Sequence, residues 1–110
     1  MEIGRETRNG IQILTVSGRL DSNTSEKFEN ELYTAVNNGT THLIVDMEAL
    51  DYISSAGLRV ILKATKDLKQ KQGGIVLCSL QDYVREVFEI AGFDSYLNIE
   101  STREKALAAL

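Results

Sequence analysis

Residues Thr41 to Leu62 read THLIVDMEALDYISSAGLRVIL. Thr41–Met47 is short, β-branched and almost continuously apolar, the pattern of a central strand covered on both faces. Glu48–Ser55 then reads as a polar loop, with Ser54-Ser55 standing where a helix would start. Beyond them Leu58, Ile61, Leu62, Thr65 and Leu68 recur at helical spacing as one buried stripe. Arg59, Lys63, Lys66 and Lys69 lie mostly off that stripe. A buried strand that passes through a short loop into an amphipathic helix is half of a β-α-β unit, and such units build a parallel sheet with covering helices.

The alternation extends in both directions. Asn9-Gly10 is a strong two-residue hairpin turn, joining a polar edge strand Glu2–Arg8 to Ile11–Ser17. Gly18-Arg19-Leu20-Asp21 leaves the second strand. Asn23, with Glu26 three residues on, suits a helix start. Phe28, Leu32, Ala35 and Val36 share one face of that helix, and Asn37-Asn38-Gly39 stops it. Gly73-Gly74 ends the second helix, and Ile75–Ser79 is a further buried strand. Asp82–Ala91 carries Val84, Val87, Phe88 and Ala91 at helical spacing, with Gly92 as its stop. Leu97-Asn98-Ile99 reads as a short last strand, and Ser101-Thr102-Arg103-Glu104 as a capping box for a short terminal helix.

The order β-β-α-β-α-β-α-β-α predicts an α/β fold. Its sheet is mixed and mostly parallel, of four to five strands with about four helices, and has an antiparallel edge hairpin at the N-terminus. In such sheets the strand-to-helix loops at the carboxyl ends form the working edge. Here these are Gly18–Asn23 and Glu48–Ser55.

The totals narrow the classes. The chain has 110 residues, 43% hydrophobic and 25% charged, which fits a single globular domain over residues 1–110 and not a disordered chain. Cys78 is the only cysteine, so no internal disulfide is possible, and its apolar setting reads as that of a small buried hydrophobe. Met1–Glu6 lacks an apolar signal core, and no apolar run approaches the roughly 18 residues of a membrane span. A cytoplasmic protein without membrane insertion is expected, a monomer or weak dimer. A net charge of −4, no basic cluster and 6% aromatics argue against nucleic-acid binding.

Ser54 and Ser55 allow three chemistries. As a helix N-cap, one hydroxyl would accept a first-turn N–H while Ala56-Gly57 packs tightly on the sheet; this accounts for one serine. As a nucleophile, Ser55 would need glycine on both sides at a spacing of two, but Ile53 stands where the first belongs. The lone His42, its potential base, opens a strand at what should be the opposite end of the sheet, and Lys63 should face solvent. As a modification site, Ser55 would be exposed in the first helical turn, where phosphate sits near the positive end of the helix dipole. Phosphate would add roughly −1.5 to −2 charges and a bulky group to that surface without refolding. No metal or other cofactor is indicated: Asp46, Glu48 and Asp51 read as solvated loop carboxylates, and no Gly-rich phosphate loop is present.

The stretch VDMEALDYISSAGLRVIL, preceded by GRLDSNTSEKF and followed by GGIVLCSLQDYVREVFEIAGF, resembles the bacterial anti-sigma factor antagonists, single-domain proteins of the STAS fold. The resemblance covers nearly the whole chain, in order and spacing. It implies a non-enzymatic protein that, unphosphorylated, captures an anti-sigma factor with serine kinase activity and so frees the sigma factor. The kinase inactivates the antagonist by modifying a serine at the start of the second helix, and a PP2C-type phosphatase restores it. Alignment on Gly57-Leu58 places the phosphorylation at Ser55. Ser54 then stands where the family often has aspartate, which bears on kinase recognition. Ala56 takes the following Ser/Thr place.

Asp21 is carried beside Ser55 on the neighbouring loop, either as a helix cap or as a partner contact. The expected partner-binding surface comprises Asp21, Ser22, Asn23, Ser54, Ala56, Gly57, Arg59 and Lys63, the two cations suiting an acidic partner. The alternatives are a STAS interaction subunit of a larger signalling or lipid-transport complex that is not phosphorylated, and a small hydrolase. The absence of a long extra N-terminal domain argues against the stress-complex version of the former.

Overall fold

A computed structural model describes residues 1–110. The elements run β1 (Glu2–Arg8), β2 (Ile11–Leu20), α1 (Ser25–Asn37), β3 (His42–Ile53), α2 (Ser55–Gln70), β4 (Gly74–Cys78), α3 (Asp82–Ile90), β5 (Asn98–Glu100) and α4 (Arg103–Ala108). They form a five-stranded sheet in the order β1-β2-β3-β4-β5. β1 pairs antiparallel with β2 across the Asn9-Gly10 turn, where both residues have positive φ as a type I′ hairpin requires. The other pairings are parallel.

Because the strands follow one another in order, right-handed crossovers put successive helices on one face. The buried side chains agree. Phe28, Leu32, Ala35 and Val36 of α1, Leu58, Ile61, Ala64 and Leu68 of α2, and Val84 and Phe88 of α3 share one core with Leu14, Val16, Leu43, Val45, Ile75 and Leu77 of the sheet. The alternate strand positions Ile13, Ile44, Val76 and Cys78 form a second, small core on the other face, closed by Ala106 of α4. The central strands are thus buried on both faces, as their unbroken apolar runs require. No helix is long and apolar enough to cross a membrane.

Several boundaries differ from expectation. Gly18–Leu20 does not leave the second strand, and Glu48–Ile53 is not a loop: β2 and β3 continue pairing from Ser17↔Ala49 to Leu20↔Ile53. Two register shifts, each adding one residue to β3, carry the strand across these turn-forming residues. The residue before α1 is Thr24, not Asn23, and its side chain makes no cap bond to the helix. Thr102, not Ser101, caps α4, accepting from the Lys105 N–H at 3.1 Å. The chain reverses after α2 through Gln72 (φ 61°). Gly73 is needed for another reason, since a Cβ there would meet the Thr41 carbonyl oxygen.

Asp46 is not a solvated loop carboxylate. It is buried beneath α4, where Oδ2 lies 3.0 Å from both Nε and Nη2 of Arg103. Nη1 of the same guanidinium reaches Glu6 at 2.8 Å, tying α4 to β1 and β3.

Candidate functional site

The carboxyl edge of β2 and β3 brings the two loops of interest together. The Ser54 N–H donates to the Leu20 carbonyl at 2.9 Å, so the start of α2 is bonded to the end of β2. Ser54 is the N-cap residue, with extended backbone (φ −99°, ψ 173°), and its carbonyl accepts the Leu58 N–H at 3.0 Å. Its hydroxyl makes no cap bond: Oγ is buried and has no hydrogen-bond partner. Ser55 is the first helical residue and is exposed. The first turn of α2 has no acidic residue to complement the helix dipole.

Gly57 sets how closely this turn approaches the sheet. A Cβ there would stand 2.7 Å from Leu20 Cγ and 3.1 Å from Ile53 Cγ1. Glycine at this position lets α2 lie directly on the last residues of β2 and β3, which presents Ser55 at the rim.

Asp21 follows β2 at once. Its Oδ1 accepts from the Asn23 N–H at 2.9 Å and the Thr24 N–H at 3.2 Å, closing the turn into α1. Partial desolvation works to raise its pKa, but these bonds, the Thr24 hydroxyl and nearby Arg19 prevail and hold the carboxyl below its ordinary range. The capping reading of Asp21 is therefore realised as a turn that precedes the helix. Ser22 and Asn23 are exposed at its tip.

α1 and α2 leave a shallow groove of about 250 Å³ beside Ser55, lined by Ser25, Glu29, Ala56, Arg59, Val60 and Lys63. The two cations differ. Lys63 Nζ is 2.8 Å from Glu29 Oε2 and 4.9 Å from the Tyr33 ring centroid. Its hydrogen bond to Glu29 raises its pKa, and its charge is already matched. Arg59 is exposed and takes part in no hydrogen bond or ion pair. A bond from the Tyr33 hydroxyl to Asp67 joins the same two helices farther along. Neither Glu29 nor Tyr33 stood out in the sequence, because the pairing spans 34 residues.

His42 opens β3 and Ser55 follows its last residue, so the full length of a 12-residue strand separates them. The hydroxyl of Thr41, 3.0 Å away, is the neighbour of the His42 Nδ1. The strand order has no reversal, and it is at a reversal that open α/β sheets form their ligand crevice. A second, polar concavity of about 630 Å³ lies on the α4 side, but the arginines that line it, Arg8 and Arg103, are both paired with Glu6. The carboxyl edge of β2 and β3 thus presents the Ser55 hydroxyl on an exposed surface.

Residues 2–106 match the STAS domain family. The chain is 44% identical over 109 residues to BtrV of Bordetella bronchiseptica, assigned as an anti-sigma factor antagonist, covering 99% of this chain and 94% of that one. It is 31% identical over 101 residues to the anti-sigma-B factor antagonist of Listeria monocytogenes, covering 92% and 88%. Among solved structures, the anti-sigma factor antagonist SpoIIAA in its unphosphorylated form superposes with a TM-score of 0.83 at 24% identity, covering 96% of this chain and 93% of that one. The Bacillus SpoIIAA in its phosphorylated form gives 0.76 at 23% identity, covering 98% of each. These two structures establish likeness of fold.

Proposed function

This chain belongs to the anti-sigma factor antagonists of the STAS domain family, and on that premise we propose that it is a phosphorylation-switched antagonist acting in the cytoplasm. In its unmodified form it captures an anti-sigma factor that is also a serine kinase. The captured factor releases its sigma factor or equivalent target. The kinase then transfers the γ-phosphoryl group of ATP to Ser55. The Oγ–P bond forms as the γ-phosphoanhydride bond breaks, ADP leaves, and the serine proton passes to a base on the kinase. A PP2C-type phosphatase hydrolyses the ester, water supplying the new oxygen on phosphorus, and returns the hydroxyl.

The observation that carries this reading is the position of Ser55. It is exposed, at the first residue of a 16-residue helix, on a rim that Gly57 holds tightly to β2. Phosphate there changes the surface and leaves the core alone. Asp21, Ser22, Asn23, Ser54, Ala56, Gly57, Arg59 and Lys63 make up the surrounding docking surface. Asp21 and Gly57 act by shaping it, and Arg59 supplies its unmatched positive charge.

The test is intact mass and phosphopeptide mapping after incubation with the cognate kinase and ATP, paired with partner capture by variants. One phosphate on Ser55, absent in Ser55→Ala, is expected. Ser55→Ala should retain capture and Ser55→Asp should lose it. No phosphate with an active kinase, together with unchanged capture by Ser55→Asp, would discard the switch in favour of a STAS interaction subunit that is not phosphorylated.

A further inference from the structure

We propose that Arg59 is the intramolecular receptor for the phosphate on Ser55, so that modification withdraws this arginine from the docking groove. The inference rests on the phosphorylation of Ser55 proposed above and concerns what the phosphate does once it is present.

Ser55 and Arg59 are four residues apart on α2. Side chains at that spacing are neighbours on one helix face, and an anion N-terminal to its cation is the favoured orientation. Both residues are exposed, so the pair can form without moving the core. The surrounding charges single out Arg59. Lys63, the next cation along, is held by Glu29 at 2.8 Å. Arg19, across the rim, stacks on Tyr52 at 4.2 Å from the ring centroid and lies 3.7 Å from Asp21. Arg59 alone at this edge has no acceptor. The Ser54 hydroxyl makes no cap bond and the first turn carries no carboxylate, so no anion in that turn competes for the guanidinium.

A phosphoserine supplies the missing acceptor. Its three oxygens suit a bidentate guanidinium contact, which a lysine ammonium cannot reproduce. The consequence is a double change at the groove. The partner meets a new anion and also loses the one free cation that would attract an acidic surface. The same pairing would hold the phosphate against the helix and slow its hydrolysis.

The experiment uses full-length protein with phosphoserine placed at position 55 by semisynthesis, which makes it independent of any kinase. The second ionisation of the phosphate is followed by ³¹P NMR, and the Arg59 Nε–Hε resonance is followed over the same pH range. An ordinary phosphoserine titrates near pH 6. In the otherwise unaltered protein the midpoint should lie below that of the Arg59→Gln protein by about 0.2–0.4 unit, the size expected for an exposed pair at this spacing. The Arg59 resonance should move with the same midpoint. Arg59→Lys should recover only part of the shift. Identical midpoints in the unaltered and Arg59→Gln proteins, or an Arg59 resonance indifferent to the phosphate, would overturn the inference. The kinase assay on Ser55 would fail or succeed separately, so loss of the switch and loss of this pairing are read by different measurements.

Discussion

Gly57 is where a single atom decides the site. Alanine in a helix is ordinarily better than glycine by about 1 kcal/mol. Here the added methyl would come within 2.7 Å of Leu20 Cγ and 2.9 Å of Cδ2, and Leu20 is fully buried with no open space to move into. Overpacking of this kind costs about 1–3 kcal/mol, which outweighs the propensity gain. Gly57→Ala should therefore lower the urea midpoint by the equivalent of about 1 kcal/mol and shift the Ser54 amide, whose bond to Leu20 anchors α2. A variant as stable as the parent, or more so, would show that α2 does not need this close approach. Ser54 next to it carries a cost of another kind, a buried hydroxyl with no partner. The residue pattern showed that a serine would sit at the N-cap, and one does. It could not show that the cap bond is left unmade, because that depends on how the hydroxyl is buried in the folded chain.

At the scale of elements, α4 is the lightly held piece. It is six residues long and fully buries only Ala106. Its main tie is Arg103, which joins Asp46 on β3 to Glu6 on β1. The Asp46 side chain is 7% exposed, so Arg103→Met would leave a nearly buried carboxylate without its counter-ion. Breaking such a pair costs about 3–5 kcal/mol when both partners are buried. Arg103 is partly exposed, which places this loss at about 2–3 kcal/mol. Cys78 reports the event, since it lies in the core that α4 closes and its thiol is pushed up to about 11 by burial and by nearby Asp46. Alkylation of Cys78 at fixed pH should be slow in the parent and at least about tenfold faster in Arg103→Met. Equal rates would mean that α4 does not open on its own. The tie also has a pH sign. Arg8 first, and Arg103 after it, hold Glu6 below its ordinary pKa of 4.5. A carboxyl whose folded pKa is depressed contributes fully above its unfolded value and loses that contribution as pH falls through the folded one. Stability should thus decline below about pH 4.5, and Glu6→Gln should soften that decline.

The same elements show what could be read in advance. The β-α alternation, the hairpin and most of the helix stripes were legible because their signals are local; Ala91, expected on the stripe of α3, instead lies exposed just past the helix end. The ends of β2 and β3 were not. Met47, Leu50 and Ile53 all face the main core, a spacing of three that the bulges create and that an alternating strand would not show. Asp46 was misread because its partner lies 57 residues away.

For the whole molecule, the sheet order places every strand-to-helix junction on one rim with no reversal of strand order along it, and the proposed docking site is part of that rim's surface. The accessible surface is 5763 Å², and a partner footprint of about 800 Å² would take only about one-seventh of it. On the proposed switch, a doubly charged group within such a footprint would end binding without any response from the core. This makes a prediction that separates a surface switch from an unfolding switch. Ser55→Asp puts a carboxylate on the first residue of a helix whose first turn has none. Such a charge stabilises a helix by about 0.3–1 kcal/mol. For a domain of this size that corresponds to a rise in Tm of about 1–4 °C. Capture of the anti-sigma factor should fall at the same time. The two quantities are measurable on one sample, by calorimetry and by titration with the partner. Opposed changes, more stable and non-binding, are what a phosphate acting only at the rim requires. A Ser55→Asp protein that lost binding together with several degrees of Tm would instead mean that the start of α2 unravels, and that the rim held by Gly57 and Leu20 is itself the moving part.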